Sequence, residues 1–471
     1  MHTEFENKTV AVVGLARSGM ACCEVLTALG AHVIPYDGKP SSEVAEAVAA
    51  AQALGLTPVV GGAALDYSVL DYLVTSPGVR KDAPVLQKAV AAGVPVLGEI
   101  EVAYRIACAP ILAITGTNGK TTTTVLLAEM LKAAGIETYT AGNIAAGEIA
   151  MPLIKAAYLA PPEAAIVAEI SSFQLEWIST FKPKVAALLN ITPDHADRQP
   201  WDEYVAAKWR IFENQTKDDF AVLNMSAFYN DERMHDFLNR PWTGIDPVLI
   251  TARIWEFGGD PDIRSVYIKA NNIAVEGGPS GLYSEICRIN QVKLPGAHNR
   301  ENILAAAAMA TAFGVGIEPI RQVATTFTGV VHRLEYVDTI DGVKYVNNSM
   351  CTNSDAFAKS LEALPEPKVV IAGGVYKGDD IAEIGKAVAA NSVKALVLIG
   401  RSAPEIEASA RAAGYEEVYR AGTLHEAVTQ ARALAMSGDT VLLAPACTSL
   451  DMFQDFEDRG DQFKAAVSGL A

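Results

Sequence analysis

Between residues 114 and 122 the chain runs Ile-Thr-Gly-Thr-Asn-Gly-Lys-Thr-Thr, and these residue types at this spacing suit a polyphosphate. Gly116 and Gly119 let the backbone turn tightly and approach a ligand closely. Lys120 brings a positive charge, and the free N–H groups of a helix starting there add to it. Thr121 offers a hydroxyl to the magnesium of a nucleotide triphosphate, and Thr117, Asn118 and Thr122 complete the loop. The usual phosphate loop has a glycine further upstream, where Ile114 and Thr115 stand, so this is a shortened relative of it.

Other groups of the right chemistry follow buried-looking runs. Glu169 comes directly after the apolar stretch Ala164 to Ala168 and opens Ile170-Ser-Ser-Phe-Gln-Leu-Glu176. His195 lies in Asn190 to Asp197, after Val185 to Leu189. Carboxylate and imidazole just beyond strands are where magnesium ligands belong, although Glu169 as a helix cap and His195 as a bonded loop histidine fit equally. Helical periodicity over Asp202 to Phe212 puts Lys208 on a solvated face. Asn299 and Asn302, at i and i+3, can read a purine edge or cap the helix they start. Gly14-Leu-Ala-Arg-Ser18-Gly19 with Asp37 after the next strand is a dinucleotide-fold opening, but its spacing is not G-x-G-x-x-G, so nicotinamide binding and a plain turn both stay open. Ser76 and Gly78 form a second loop at a strand end, and Lys377 sits in a third, where a solvated lysine is the simple alternative.

The elements that must carry these groups alternate strand and helix three times. The first set runs over residues 1–105. The second, 106–328, holds the phosphate loop and an irregular stretch at 225–290 that reads as surface elaboration with some antiparallel strands. The third, 329–471, has strands at Lys344 to Val346, Lys368 to Ile371, Ala395 to Ile399 and Thr440 to Leu443, three of them followed by polar clusters. The expected class is therefore α/β in three domains: Rossmann-like, then a central phosphate-loop-type mononucleotide-binding domain, then a second Rossmann-like domain.

Composition narrows the partners. Lys plus Arg number 38 against 55 Asp plus Glu, a net charge of −17, which argues against nucleic acid or an anionic membrane surface. Positive charge for a phosphate ligand must then be local. Six cysteines without C-x-x-C spacing favour reduced thiols in the cytoplasm. Met1 to Lys8 lacks the basic and apolar regions of a signal peptide, and the apolar run Ile303 to Ile317 is short for a bilayer, so no membrane insertion is expected.

Taken together, Thr115 to Thr122, Glu169 to Glu176, Asn190 to Asp197, Tyr204 to Lys208, Gly296 to Asn302, His332-Arg333 and Pro445 to Phe453 resemble the Mur ligases, the ATP-dependent amide-forming enzymes of peptidoglycan precursor synthesis. The resemblance spans the chain in the family's order, and its details are most similar to the branch that joins D-glutamate to UDP-N-acetylmuramoyl-L-alanine. It implies ATP and two magnesium ions as cofactors, an acyl-phosphate intermediate and a monomeric cytoplasmic enzyme. It implies Lys120 on the phosphates, Thr121 and Glu169 on one magnesium, His195 on a second, and Lys208 as a carbamylated lysine. Asn299, Asn302, His332 and Arg333 would then contact the nucleotide. Gly14, Ser18, Asp37, Ser76 and Gly78 would hold the UDP part, Asn143 the acyl-bearing part, and Thr352, Lys377, Ser449 and Phe456 the glutamate. At 347–353, where the family writes Asn-Asp-Ser-Lys-Ala-Thr-Asn, this chain has Asn348, Met350 and Cys351; a carboxylate and a cation are missing together, and D-glutamate is expected to stay preferred over L-glutamate. A hydride-transfer enzyme would leave the phosphate loop unexplained. A non-catalytic nucleotide-binding regulator would have no use for Glu169, His195 and Lys208 at once.

Overall fold

The computed structural model describes residues 4–142, 151–192, 199–224, 228, 250–258, 265–277, 283–294, 297–352, 354–376 and 381–470. They form two compact units, one running up to Thr328 and one from Gly329 onward.

The first unit holds two sheets. Strands β1 (Thr9–Val13), β2 (His32–Asp37), β3 (Val59–Val60), β4 (Tyr72–Thr75) and β5 (Val96–Gly98) pair in the order β3-β2-β1-β4-β5, all parallel. A parallel strand covered on both faces is an unbroken apolar run, which is why Val10 to Val13 stand out in the sequence. The order reverses between β1 and β4. Gly14 and Ser76 follow those two strands, and such a reversal opens a crevice at the strands' carboxyl ends.

The second sheet contains β6 (Ile111–Thr115), β7 (Thr138–Gly142), β8 (Ala165–Glu169), β9 (Val185–Leu188), β10 (Phe220–Leu223), β11 (Arg253–Phe257), β12 (Ser265–Lys269), β13 (Asn272–Glu276) and β14 (Ser284–Arg288). Their order is β14-β13-β12-β11-β10-β9-β6-β8-β7. Pairing is parallel from β7 to β12 and antiparallel for the last two strands. This corrects the reading of 225–290 as surface elaboration, because β11 and β12 extend the main sheet. Trp255, Phe257, Val266 and Ile273 are 0–3% exposed in one core with the helix Ala297–Phe313. The strands were hard to see because β11 alternates poorly, with Ile254 exposed. That helix is buried on every side from Ile303 to Ala310, as an all-round apolar helix must be, and Thr311 hides its hydroxyl on the Ala307 carbonyl at 2.8 Å. Among the described residues no helix is long and apolar enough to cross a membrane.

The second unit is built on β15 (Glu335–Ile340), β16 (Val343–Asn347), β17 (Lys368–Gly373), β18 (Val393–Ile399), β19 (Val418–Arg420) and β20 (Thr440–Leu443), ordered β15-β16-β20-β17-β18-β19. Only the β15–β16 hairpin is antiparallel among these pairs. Asn347 of β16 and Ile371 of β17 both register with Leu443 of β20. The three polar clusters therefore leave one end of three adjacent strands.

Candidate active site

Register places the phosphate loop. β6 lies between β8 and β9, with Ile114 opposite Glu169 and Thr115 opposite Leu188. The loop after β6 thus emerges between Glu169 and Asn190. Gly119 caps the helix Lys120–Ala133 at φ 84°, and a Cβ there would lie 2.2 Å from Asn302 Oδ1. Gly116, at φ 151°, packs against Leu189 and Asn190. Asn190 clamps the loop from the side, accepting the Asn118 N–H at 2.8 Å and donating to its carbonyl at 3.1 Å. The Thr117 hydroxyl bonds the Thr192 carbonyl and the Tyr204 hydroxyl. Sequence reasoning gave Tyr204 and Asn190 no such part, because only the fold brings them to Thr117 and Asn118.

Lys120 Nζ donates to the carbonyls of Gly116 (3.0 Å) and Thr117 (2.9 Å). The Thr121 hydroxyl donates to Glu169 Oε2 at 2.8 Å, and both residues are buried. Two hard oxygen donors from separate elements, sealed beside a phosphate loop, fit a magnesium ion. Lys208 lies in the helix Trp201–Trp209 and is 2% exposed, which corrects its solvated placement. Its Nζ donates to the Gly116 carbonyl at 2.9 Å and sits 4.5 Å from the Tyr204 ring centre. Those contacts suit an ammonium. Thr122 is half-buried on the first turn of its helix. Asn302, 7% exposed, accepts from the Thr123 hydroxyl and donates to Asn299 Oδ1. His195, Asn143 and Lys377 lie outside the described residues.

In the first sheet, Gly14 (φ 86°) and Asp37 line a cavity of about 530 Å³ with Tyr36, Tyr67 and Lys88. Both carboxylate oxygens of Asp37 accept main-chain N–H groups, of Leu15 and Lys39, at 3.0 Å. Ser76 is used internally, its hydroxyl donating to the Gly14 carbonyl at 2.6 Å, and Ser76, Ser18 and Gly78 do not line the cavity. Tyr67 and Lys88 were not expected; they come from segments with no motif of their own.

In the second unit, His332 takes a positive φ of 63° and is 6% exposed. Asn347 donates to its Nδ1 at 3.0 Å. A Cβ on Gly460 would meet that nitrogen at 2.1 Å. Burial and the nearby Lys464 ammonium push the imidazole below its ordinary pKa, so the ring is neutral at neutral pH. Arg333, next to it, is exposed. Asn348 accepts the Leu334 N–H and donates to the Ser360 hydroxyl, so both ends of the neutral amide are bonded. Thr352 is half-buried, Ser449 is buried, and Phe456 opens the helix Phe456–Ser468. Sequence reasoning missed Arg459. It is fully buried and pins two of the loops, donating to Ser349 Oγ and O and to the Cys447 carbonyl at 2.7–3.0 Å.

Sheet order, loop and buried acid–hydroxyl pair define a phosphate-binding α/β protein. Residues 114–310 match the Mur ligase middle domain, 332–447 the Mur ligase glutamate ligase domain, and 8–98 the MurD-like N-terminal domain of Mur ligases. The chain is 43% identical to the UDP-N-acetylmuramoylalanine–D-glutamate ligase of Thermoanaerobacter sp. (strain X514) across 99% of both chains. To the protein of the same name from Pelotomaculum thermopropionicum it is 42% identical, over 100% of this chain and 99% of that one. The crystal structure of the UDP-N-acetylmuramate–alanine ligase MurC of Thermotoga maritima shares the fold, with a TM-score of 0.51 at 19% identity over 98% of this chain and 100% of that one. The chain belongs to the Mur ligase family.

Proposed function

We propose that this chain is an ATP-dependent ligase that adds D-glutamate to UDP-N-acetylmuramoyl-L-alanine in peptidoglycan precursor synthesis. The observation that carries this is the phosphate loop with Thr121 and Glu169 paired beside it, in a chain that matches relatives of that name from end to end.

The terminal carboxylate of UDP-N-acetylmuramoyl-L-alanine attacks the γ-phosphorus of ATP. An O–P bond forms, the bond to the β-phosphate oxygen breaks, and ADP leaves. The amine of D-glutamate then attacks the acyl carbon, the C–N bond forms, phosphate departs with the electron pair, and the nitrogen gives up a proton. Two polyanions must approach each other, so the chain's own work is positioning and charge. Lys120, already held over the loop by the Gly116 and Thr117 carbonyls, turns its ammonium to the phosphates. Thr121 and Glu169 would hold magnesium, which would neutralise phosphate charge when bound. A second ion at His195 and a carbamate on Lys208 belong to the same proposal. Carbamylation requires Lys208 to give up the cation-type contacts it makes with Gly116 and Tyr204. Labelling with ¹³C-bicarbonate in the presence of magnesium and ATP tests this: the native chain takes up one carbamate that Lys208→Arg lacks, and equal labelling of both sinks that role.

Gly14 and Asp37 are assigned to the UDP part, with Ser18, Ser76 and Gly78 shaping that loop pair. Asn299, Asn302 and Arg333 are assigned to the nucleotide, with His332 setting the turn that carries Arg333. Asn143 takes the acyl-bearing part, and Thr352, Lys377, Ser449 and Phe456 the amino acid. The enzyme acts as a cytoplasmic monomer, consistent with six free cysteines, five of them buried; light scattering that returns a dimer mass would overturn the monomer.

The deciding experiment supplies purified protein with UDP-N-acetylmuramoyl-L-alanine, ATP, magnesium and a panel of amino acids. ADP and one amide product form with D-glutamate. No ADP with any amino acid ends the ligase reading, and faster turnover with L-glutamate ends the stated preference.

A further inference from the structure

Glu99 is a buried carboxylate that the reaction above does not use. It opens the helix Glu99–Ile106 after β5 and is 2% exposed. One hydrogen bond reaches it, from the Ile154 N–H at 2.7 Å, and the Leu153 N–H and the Gln174 side chain lie close enough to draw its carboxyl down. These neighbours lead to the backbone of Glu169 from two directions. Gln174 Oε1 accepts the N–H and hydroxyl of Ser171, both at 2.9 Å, and Ser171 stands two residues past Glu169. Leu153 and Ile154 begin the helix Leu153–Leu159, just after Met151, whose carbonyl accepts the Gly142 N–H at 3.0 Å. Gly142 is the register partner of Glu169 across β7 and β8, and a Cβ on it would fall 2.0 Å from the Glu169 carbonyl oxygen.

We propose that Glu99 is a positioning residue for the ligase reaction, gripping with one carboxylate the two turns that fix the backbone presenting Glu169 to the phosphate site. The inference rests on the ligase reading. Each of these partners donates, so a proton on Glu99 removes the charge they bond to and turns one oxygen into a donor, which weakens the grip. Burial raises this carboxyl to about 7 against the opposing pull of Ile154, Leu153 and Gln174, so the grip changes within the neutral range. Of the titratable groups on the elements packed around it, Cys22 is held neutral, its thiol pushed well up by burial and by Glu99. Cys23 is likewise pushed up by burial. Lys155 and Glu24 pair with each other at 2.6 Å, and Glu101 pairs with Arg105.

The test compares native protein with Glu99→Gln and Gln174→Leu, measuring steady-state kinetics from pH 6 to 9 together with thermal midpoints. Native KM for magnesium–ATP rises as pH falls through about 7. In Glu99→Gln that inflection disappears, and KM for magnesium–ATP is raised about tenfold at pH 8, the worth of one buried charge-assisted bond, with KM for D-glutamate unchanged. A raised carboxyl pKa means ionised Glu99 costs the folded state stability, and that cost grows as pH rises from 4.5 to about 7. Glu99→Gln therefore keeps or raises the midpoint at pH 8, which a merely structural strut would not do. Gln174→Leu leaves the charge but cuts the link, so it raises the same KM and moves the inflection to higher pH; it carries the test if Glu99→Gln does not fold. An inflection that stays in Glu99→Gln, or a KM for magnesium–ATP equal to native in both variants, overturns the proposal. A native protein without turnover would instead sink the ligase reading.

Discussion

The Lys120 ammonium donates to two carbonyls of its own loop, those of Gly116 and Thr117. Those bonds keep the charge over the loop, where a phosphate would meet it. Replacing Lys120 by alanine is expected to lower kcat/KM by roughly 10²–10³, the scale of losing one preorganised charge contact in such a site, with the thermal midpoint nearly unchanged. ADP release under saturating substrates measures it, and native-level turnover would refute the role. Gly119 is a different kind of residue, valued for backbone rather than charge. Gly119→Ala puts a side chain at φ 84°, at a cost of about 1–2 kcal/mol, and pushes Asn302 out of its place. A lower midpoint and weaker ATP binding by calorimetry are both expected, since Asn302 is assigned to the nucleotide.

At the scale of elements, the helix Glu99–Ile106 ties the first sheet to the second. Burial would push Glu101 up, yet the Ser179 N–H, the Thr180 hydroxyl, Arg105 and the Thr180 N–H together hold it down at about 2. A depressed carboxyl stabilises the fold above its unfolded value, and that contribution is lost as pH falls from about 4.5 toward 2. Glu101→Gln is therefore expected to cost about 3 kcal/mol near neutrality and to flatten the acid limb of the stability curve, as urea melts at several pH values will show. In the second unit, Gly460 lets the helix Phe456–Ser468 pass against His332. Gly460→Ala must displace that ring from Asn347; raised KM for ATP with little change in far-ultraviolet circular dichroism is the expected outcome.

For the whole molecule, each unit has its own sheet system and core. Residues 1–328 and 329–471 expressed separately are each expected to melt cooperatively, the first still binding ATP and neither forming amide; a piece that stays unfolded would contradict this. Much of this organisation was legible beforehand. Doubly covered parallel strands are unbroken apolar runs, so β1, β6, β8 and β9 announced themselves, and a glycine-lysine-threonine turn between strand and helix has few other uses. β11 and β12 hid because their burial depends on a helix that follows them in sequence. Lys208 read as solvated because helical periodicity describes one helix, whereas its burial depends on what the other elements lay against it.

Residue order by itself determined the strand–helix alternation and the phosphate loop, which depend on neighbours within a few tens of positions, and the family, which rests on short motifs in a fixed order along the chain. Tertiary structure alone decided that Asn190 clamps Asn118, that Lys208 reaches Gly116, that His332 is enclosed, and that Glu99 is buried against the Ile154 N–H. Those contacts join residues brought together by strand order and register, which the fold supplies only when the whole sheet has formed.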